Sequence, residues 1–225
     1  MTSPSPRSIA GNASGTVDAT SFALTMGVHA AGDTPFAFIA SDGNNAVLSC
    51  TGWTNFGAAN STTSKGHLFR RDTVCASSSE PNPTFISTAA EQYAGVVFVV
   101  PGSTLLNVEY AASSGSSGTP DAPNLNFAAG PIDPLLITFY AFDGSAGIAT
   151  PPAGYGNELA VSNGTAQGCS AIAAYRTATG VSSENPGTAT TTSEQWAAFT
   201  IAVWETPAAP PPSMGGMGLM MGMIG

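Results

Sequence analysis

Short apolar runs, many of them aromatic or β-branched, recur along the chain between clusters of Gly, Pro, Asn and Ser. Runs of that length bounded by turn formers predict strands rather than helices. One run carries Phe36, Phe38 and Ile39, and another carries Leu136, Ile137, Phe139, Tyr140 and Phe142. Residues 93–100 and 196–203 are apolar almost without a break, which predicts strands buried on both faces. The Thr-rich stretches at 84–88 and 188–192 fit half-exposed partner strands. No amphipathic helical pattern interrupts the series, so the expected fold class is all-β.

The same order of landmarks occurs twice, a signal to be sought before any other. An apolar run closing in Asp42-Gly43 is matched by one closing in Asp143-Gly144. Gly52-Trp53 is matched by Gly154-Tyr155, and Glu80 with Pro81 and Pro83 by Glu184 with Pro186. Glu91-Gln92-Tyr93 then opens one apolar run and Glu194-Gln195-Trp196 the other. Strand and turn patterning could produce any single match, but a whole series at a nearly constant offset points to duplication.

The predicted architecture is therefore an antiparallel, jelly-roll-like β-sandwich built from two homologous repeats. An N-terminal arm occupies residues 1–13, the first repeat 14–112, a Gly/Ser connector 113–118 and the second repeat 119–206. The run holding Leu105, Leu106, Val108 and Tyr110 is placed at the end of the first repeat. One larger sandwich is preferred to two separate ones, because the connector is short and the last strand of each repeat reads as buried on both faces.

Residues 207–225 break the pattern. Pro207, Pro210, Pro211 and Pro212 form a stiff spacer that cannot join a sheet. Beyond it Met214, Met217, Leu219, Met220, Met221, Met223 and Ile224 alternate with glycines. Methionine moulds itself to irregular apolar surfaces and glycine permits close backbone approach, so these residues are expected to dock onto a partner. The segment is too short and too rich in glycine for a membrane helix.

Composition narrows the partners. Charged residues make up 8% of the chain, against about 25% in an ordinary soluble domain. The formal net charge is −9, which repels a phosphate backbone and argues against nucleic-acid binding. No apolar stretch is long enough to predict a membrane span, and residues 1–11 lack the apolar core of a secretory signal. Cys50, Cys75 and Cys169 match neither a redox pair nor a zinc site; isolated thiols are the favoured reading, with a Cys50–Cys75 bridge as the alternative.

The residues give little sign of catalysis. His29 and His67 are the chain's imidazoles, neither has a counterpart in the other repeat, and structural roles suit them better than a triad. The hydrolase, metalloprotease, P-loop and dinucleotide motifs are all missing, so no catalytic residue, metal ligand or cofactor is expected. Asp42 and Asp143 could pair as in a glycosidase, but an Asp before Gly at a strand end is explained by capping of its own turn. Trp196 aligns with Tyr93 and reads as core. Trp53 and Tyr155, in glycine-flanked segments, are the candidate surface contacts, suited to a sugar.

Taken together, the Asp-Gly strand, the Pro151-Pro152-Ala153-Gly154-Tyr155 segment, the Tyr175-Arg176 strand and the final Ala/Val strand resemble duplicated β-sandwich accessory proteins of tailed bacteriophages. The resemblance covers about residues 14–206, and the first repeat departs from it with Cys50-Thr51-Gly52-Trp53. It implies a location on the virion, as a head-decoration or cement-like subunit in a homo-oligomer contacting other virion proteins. The alternative it implies is a tail-fibre or tail-tip adhesin that binds host-surface glycans.

Overall fold

The computed structural model describes residues 3–206, apart from 103, 146 and 165–167. The expected docking residues Met214, Met217, Leu219, Met220, Met221, Met223 and Ile224 lie outside the described residues, as does the proline spacer. All the regular elements described are strands. No helix among the described residues is long and apolar enough to cross a membrane.

The first eight strands are β1 (Ser8–Ala13), β2 (Ala19–Ala23), β3 (Thr34–Asp42), β4 (Leu48–Ser49), β5 (Trp53–Asn60), β6 (Ser64–Arg71), β7 (Thr84–Glu91) and β8 (Tyr93–Val100). Next come β9 (Asn107–Ser117), β10 (Asp121–Ala122), β11 (Leu125–Asn126), β12 (Leu135–Asp143), β13 (Ile148–Thr150) and β14 (Gly156–Ser162). The last are β15 (Cys169–Thr177), β16 (Ser183–Glu184), β17 (Gly187–Thr188), β18 (Thr190–Thr191) and β19 (Glu194–Trp204). Two five-stranded antiparallel sheets dominate, ordered β1-β8-β3-β6-β5 and β9-β19-β12-β15-β14. The orders correspond strand for strand. Smaller ladders accompany each: β2-β7-β4 in the first unit, and β10-β17, β11-β16 and β13-β18 in the second.

The large sheets stack face to face, with β3 against β12, β8 against β15 and β6 against β19. Side chains alternate across a strand, so a strand between two layers must be apolar on both faces. Phe36, Phe38, Val96, Phe98, Phe139 and Phe199 fill the central layer. Phe38 and Phe139 meet there with ring centroids 5.6 Å apart. The opposite face of the first sheet, with Ala37, Ile39, Val97 and Val99, packs against Phe22, Leu48 and Phe85 of its small sheet. On the second sheet, Tyr140, Phe142 and Trp196 pack with Ala122 and Ala189, and Leu136 and Trp204 with Leu125 and Phe127. Unbroken apolar runs thus mark the middle of a four-layer stack. Gly66 belongs to it because a Cβ there would stand 2.4 Å from the Phe199 ring.

Three boundaries differ from those expected. Residues 8–13 of the N-terminal arm are the edge strand β1, paired with β8. Just ahead of it, Arg7 forms a two-point ion pair with the buried Asp33, at 2.6 and 3.1 Å. The run at 107–112 opens the second sheet rather than closing the first repeat. Residues 113–117 of the Gly/Ser connector continue it as β9, hydrogen-bonded along β19. Backbone pairing is indifferent to side chains, and small residues are required here: a Cβ on Gly115 would lie 2.7 Å from Trp196, whose indole donates to Ser117 at 3.2 Å.

Candidate functional site

Each unit builds the same turn after its fourth or thirteenth strand region. The Trp53 N–H donates to the Cys50 carbonyl at 3.1 Å, and the Tyr155 N–H to the Pro152 carbonyl at 3.1 Å. Gly52 (φ 78°) and Gly154 (φ 82°) hold the third position, where a type II turn demands positive φ. The turn delivers an aromatic side chain beside an arginine near the end of the neighbouring strand, Arg71 on β6 and Arg176 on β15. Each arginine is paired with a glutamate, Arg71 with Glu80 at 2.8 Å and Arg176 with Glu184.

In the second unit this constellation is closed. The Tyr155 hydroxyl donates to Glu184 at 3.1 Å, and the Arg176 guanidinium lies 5.4 Å from the Tyr155 ring centroid. Tyr155 is 6% exposed, and burial pushes its phenol pKa up. The expectation that Tyr155 makes a surface contact is therefore corrected: its polar end is consumed by Glu184 and its ring is covered by neighbouring side chains.

In the first unit the constellation is open. Trp53 is half-buried and turns toward Phe85, ring centroids 5.8 Å apart. A pocket of about 360 Å³ remains beside it, lined by Cys50, Trp53, Arg71, Asp72, Asn82 and Thr84 among others. Asp72 is exposed, lines the pocket and accepts from the Thr54 hydroxyl through Oδ1 at 2.6 Å. Asn82 accepts the Met26 N–H at 3.0 Å through Oδ1, so the donor its side chain has left to offer is the amide nitrogen. Glu80 also accepts the Ala76 N–H at 2.7 Å, and its carboxyl pKa is lowered, chiefly by Arg71. Arg71 Nη1 is buried with no hydrogen-bond acceptor. Cys50, Cys75 and Cys169 are all free, which removes the Cys50–Cys75 bridge. Burial raises the pKa of each thiol, so none is activated as a thiolate.

The two repeated aspartates come together at the opposite end of the stack, one from each unit. Asp42 is pushed up to about 6, first by burial and then by Asp143, Glu91 and Asp18. The Asp143 carboxylate accepts the Thr63 hydroxyl of the other unit at 2.6 Å, a contact across the units where capping of its own turn was expected. Among the described residues, no group of three or more His, Cys, Asp or Glu is arranged to hold a metal ion.

The histidines have structural surroundings. His29 bonds the Gly27 carbonyl through Nδ1 at 2.8 Å and accepts the Glu80 N–H through Nε2 at 2.9 Å. His67 is 1% exposed, and its Nε2 lies 3.5 Å from the Ser41 hydroxyl, itself fully buried, so no substrate reaches this pair. Burial, assisted by Lys65, pushes the His67 pKa down to about 3. Sequence reasoning had singled out Trp53 but not Arg71, Asp72 or Asn82. The repeated glutamates and the Tyr175-Arg176 strand were the signal that could have exposed the paired arginines. No protein-family model matches the chain, and no curated protein or solved structure matches it.

Proposed function

We propose that this chain is a non-enzymatic structural protein of a bacteriophage virion, a decoration or cement-like subunit made of two duplicated jelly-roll units. The observation that carries the reading is the four-layer stack, in which the central strands of both large sheets are buried on both faces. Such packing makes a rigid platform whose apolar side chains are spent on internal cohesion. The alternation 1-8-3-6, extended at its edge by β5, in one layer and 2-7-4 in the other supports the jelly-roll assignment, and the matching order of the second large sheet supports duplication. The scarcity of charged residues, 8% of the chain, and the phage-like motifs favour a particle surface.

Anchorage is assigned to the methionine-rich segment from Met214 to Ile224. Removing residues 214–225 is expected to abolish particle binding while the thermal unfolding of the sandwich is unchanged. Full occupancy by the truncated chain, read by quantitative mass spectrometry of purified particles, would reject the anchoring role.

A second reading, a tail-fibre adhesin for host glycans, is favoured by the open Trp53 pocket. Copy number separates the two: a decoration subunit coats the particle in many copies, whereas an adhesin is present in few and binds cells directly.

A further inference from the structure

We infer that the first unit binds one neutral hexopyranose against Trp53, and that the second unit has no such site because Tyr155 fills the corresponding position. The inference rests on the adhesin reading and specifies its ligand and stoichiometry.

A ligand pocket of ordinary size is an apolar surface with a few polar groups placed to orient what lies on it. About 360 Å³ accommodates a single sugar ring. Trp53 supplies the apolar surface, held by its edge contact with Phe85. Asp72 offers a carboxylate oxygen as acceptor and Asn82 an amide nitrogen as donor. A pyranose matches both features, because it presents a face of C–H groups and a rim of hydroxyls that each donate and accept.

Charge selects among sugars. Arg71 is already neutralised by Glu80, which leaves Asp72 as the uncompensated charge on the lining. An acidic sugar or a phosphate would meet like charge there, on a chain whose net charge is already −9. A neutral hydroxyl donating to Asp72 meets no such penalty, and its hydrogen bond to an ionised acceptor is of the stronger kind.

The second unit supplies the internal control. Its aromatic occupies the space beside the Arg–Glu pair, and its hydroxyl takes the glutamate oxygen. In the first unit the equivalent glutamate oxygen is satisfied by the Ala76 N–H, and the indole stays at the pocket wall. One chain therefore carries one site.

The test is titration of the full chain with the methyl glycosides of glucose, galactose, mannose and N-acetylglucosamine. Tryptophan fluorescence and backbone amide shifts are followed together. One of these sugars is expected to bind with a Kd of about 1 mM and a stoichiometry of one, shifting amides at 50–53, 71–73 and 82–84. Trp53→Ala should weaken binding by about tenfold or more. Asp72→Asn, which keeps the Thr54 contact, should weaken it with the fold intact, and Tyr155→Phe should leave it unchanged. Undiminished binding in both pocket variants, two sites per chain, or preference for a sialylated sugar or a proline-rich peptide would overturn the inference. So would the absence of binding by all four sugars. The adhesin reading is judged separately, by whether the protein adheres to host cells and whether periodate treatment of those cells abolishes adhesion.

Discussion

The arginine-bearing ends of the two units are built on one plan and finished differently. Both have the glycine turn, the aromatic residue and the Arg–Glu pair. In the second unit Tyr155 closes over the pair, while in the first Trp53 leans away and a pocket persists. The neighbours account for the difference. Phe85 rises from the small sheet of the first unit and takes the edge of Trp53, whereas Tyr155 packs in one cluster with Leu125, Phe127 and Trp204 and bonds Glu184. Matching turns therefore do not imply matching surfaces: the side chains packed around each aromatic differ between the two units.

Truncation is the strongest way to break this comparison. Tyr155→Ala should cost about 3–5 kcal/mol in urea unfolding, since it removes a buried ring and uncovers the Arg176–Glu184 pair. Trp53→Ala should cost only about 1–2 kcal/mol, because much of the indole already faces the pocket. Equal losses would mean that the two ends are not open and closed forms of one arrangement.

A smaller effect separates the cores. His67 stands opposite Ile39 in the first sheet, where the second has Ile172 opposite Tyr140. With a folded pKa of about 3 against an ordinary 6.5, the unfolded chain binds the proton more readily. Stability should therefore fall as pH drops below 6.5, by about 2 kcal/mol at about pH 5, and level off only below 3. His67→Ile should remove that acid-side slope, as followed by urea midpoints across the window.

The smallest expected effect has the opposite sign. Asp42 is raised to about 6 from 3.8, so its contribution is fully present below 3.8 and is lost as pH rises through 6. Asp42→Asn should raise the melting temperature relative to wild type above pH 6 and not below 3.8. An unchanged difference across that range would show that burying the Asp42 carboxylate beside Asp143 carries no electrostatic cost.

Much of the frame was legible in the chain. The central strands β8 and β19 read as buried on both faces because their apolar runs do not alternate, and β3 and β12 read as apolar strands; all four are buried on both faces. The Asp-Gly, Gly-aromatic and Glu-Pro landmarks fall at corresponding places in two sheets of the same strand order. The strand at 107–117 was missed in part because Gly and Ser are linker residues by composition, and only the indole of Trp196 lying on Gly115 explains their presence in a ladder. Trp53 and Tyr155 looked alike because both follow a glycine. Arg71, Asp72 and Asn82 escaped notice because nothing local distinguishes a pocket wall from an ordinary turn.

Local order along the chain determined which segments are strands, where they turn and that the pattern is repeated, since side-chain alternation and glycine torsions are properties of neighbouring residues. Tertiary structure alone decided that β9 completes the second sheet, that Asp42 meets Asp143, and that one aromatic is sealed while the other borders a cavity. Those outcomes depend on contacts between residues far apart in sequence, such as Trp53 with Phe85 and Tyr155 with Glu184.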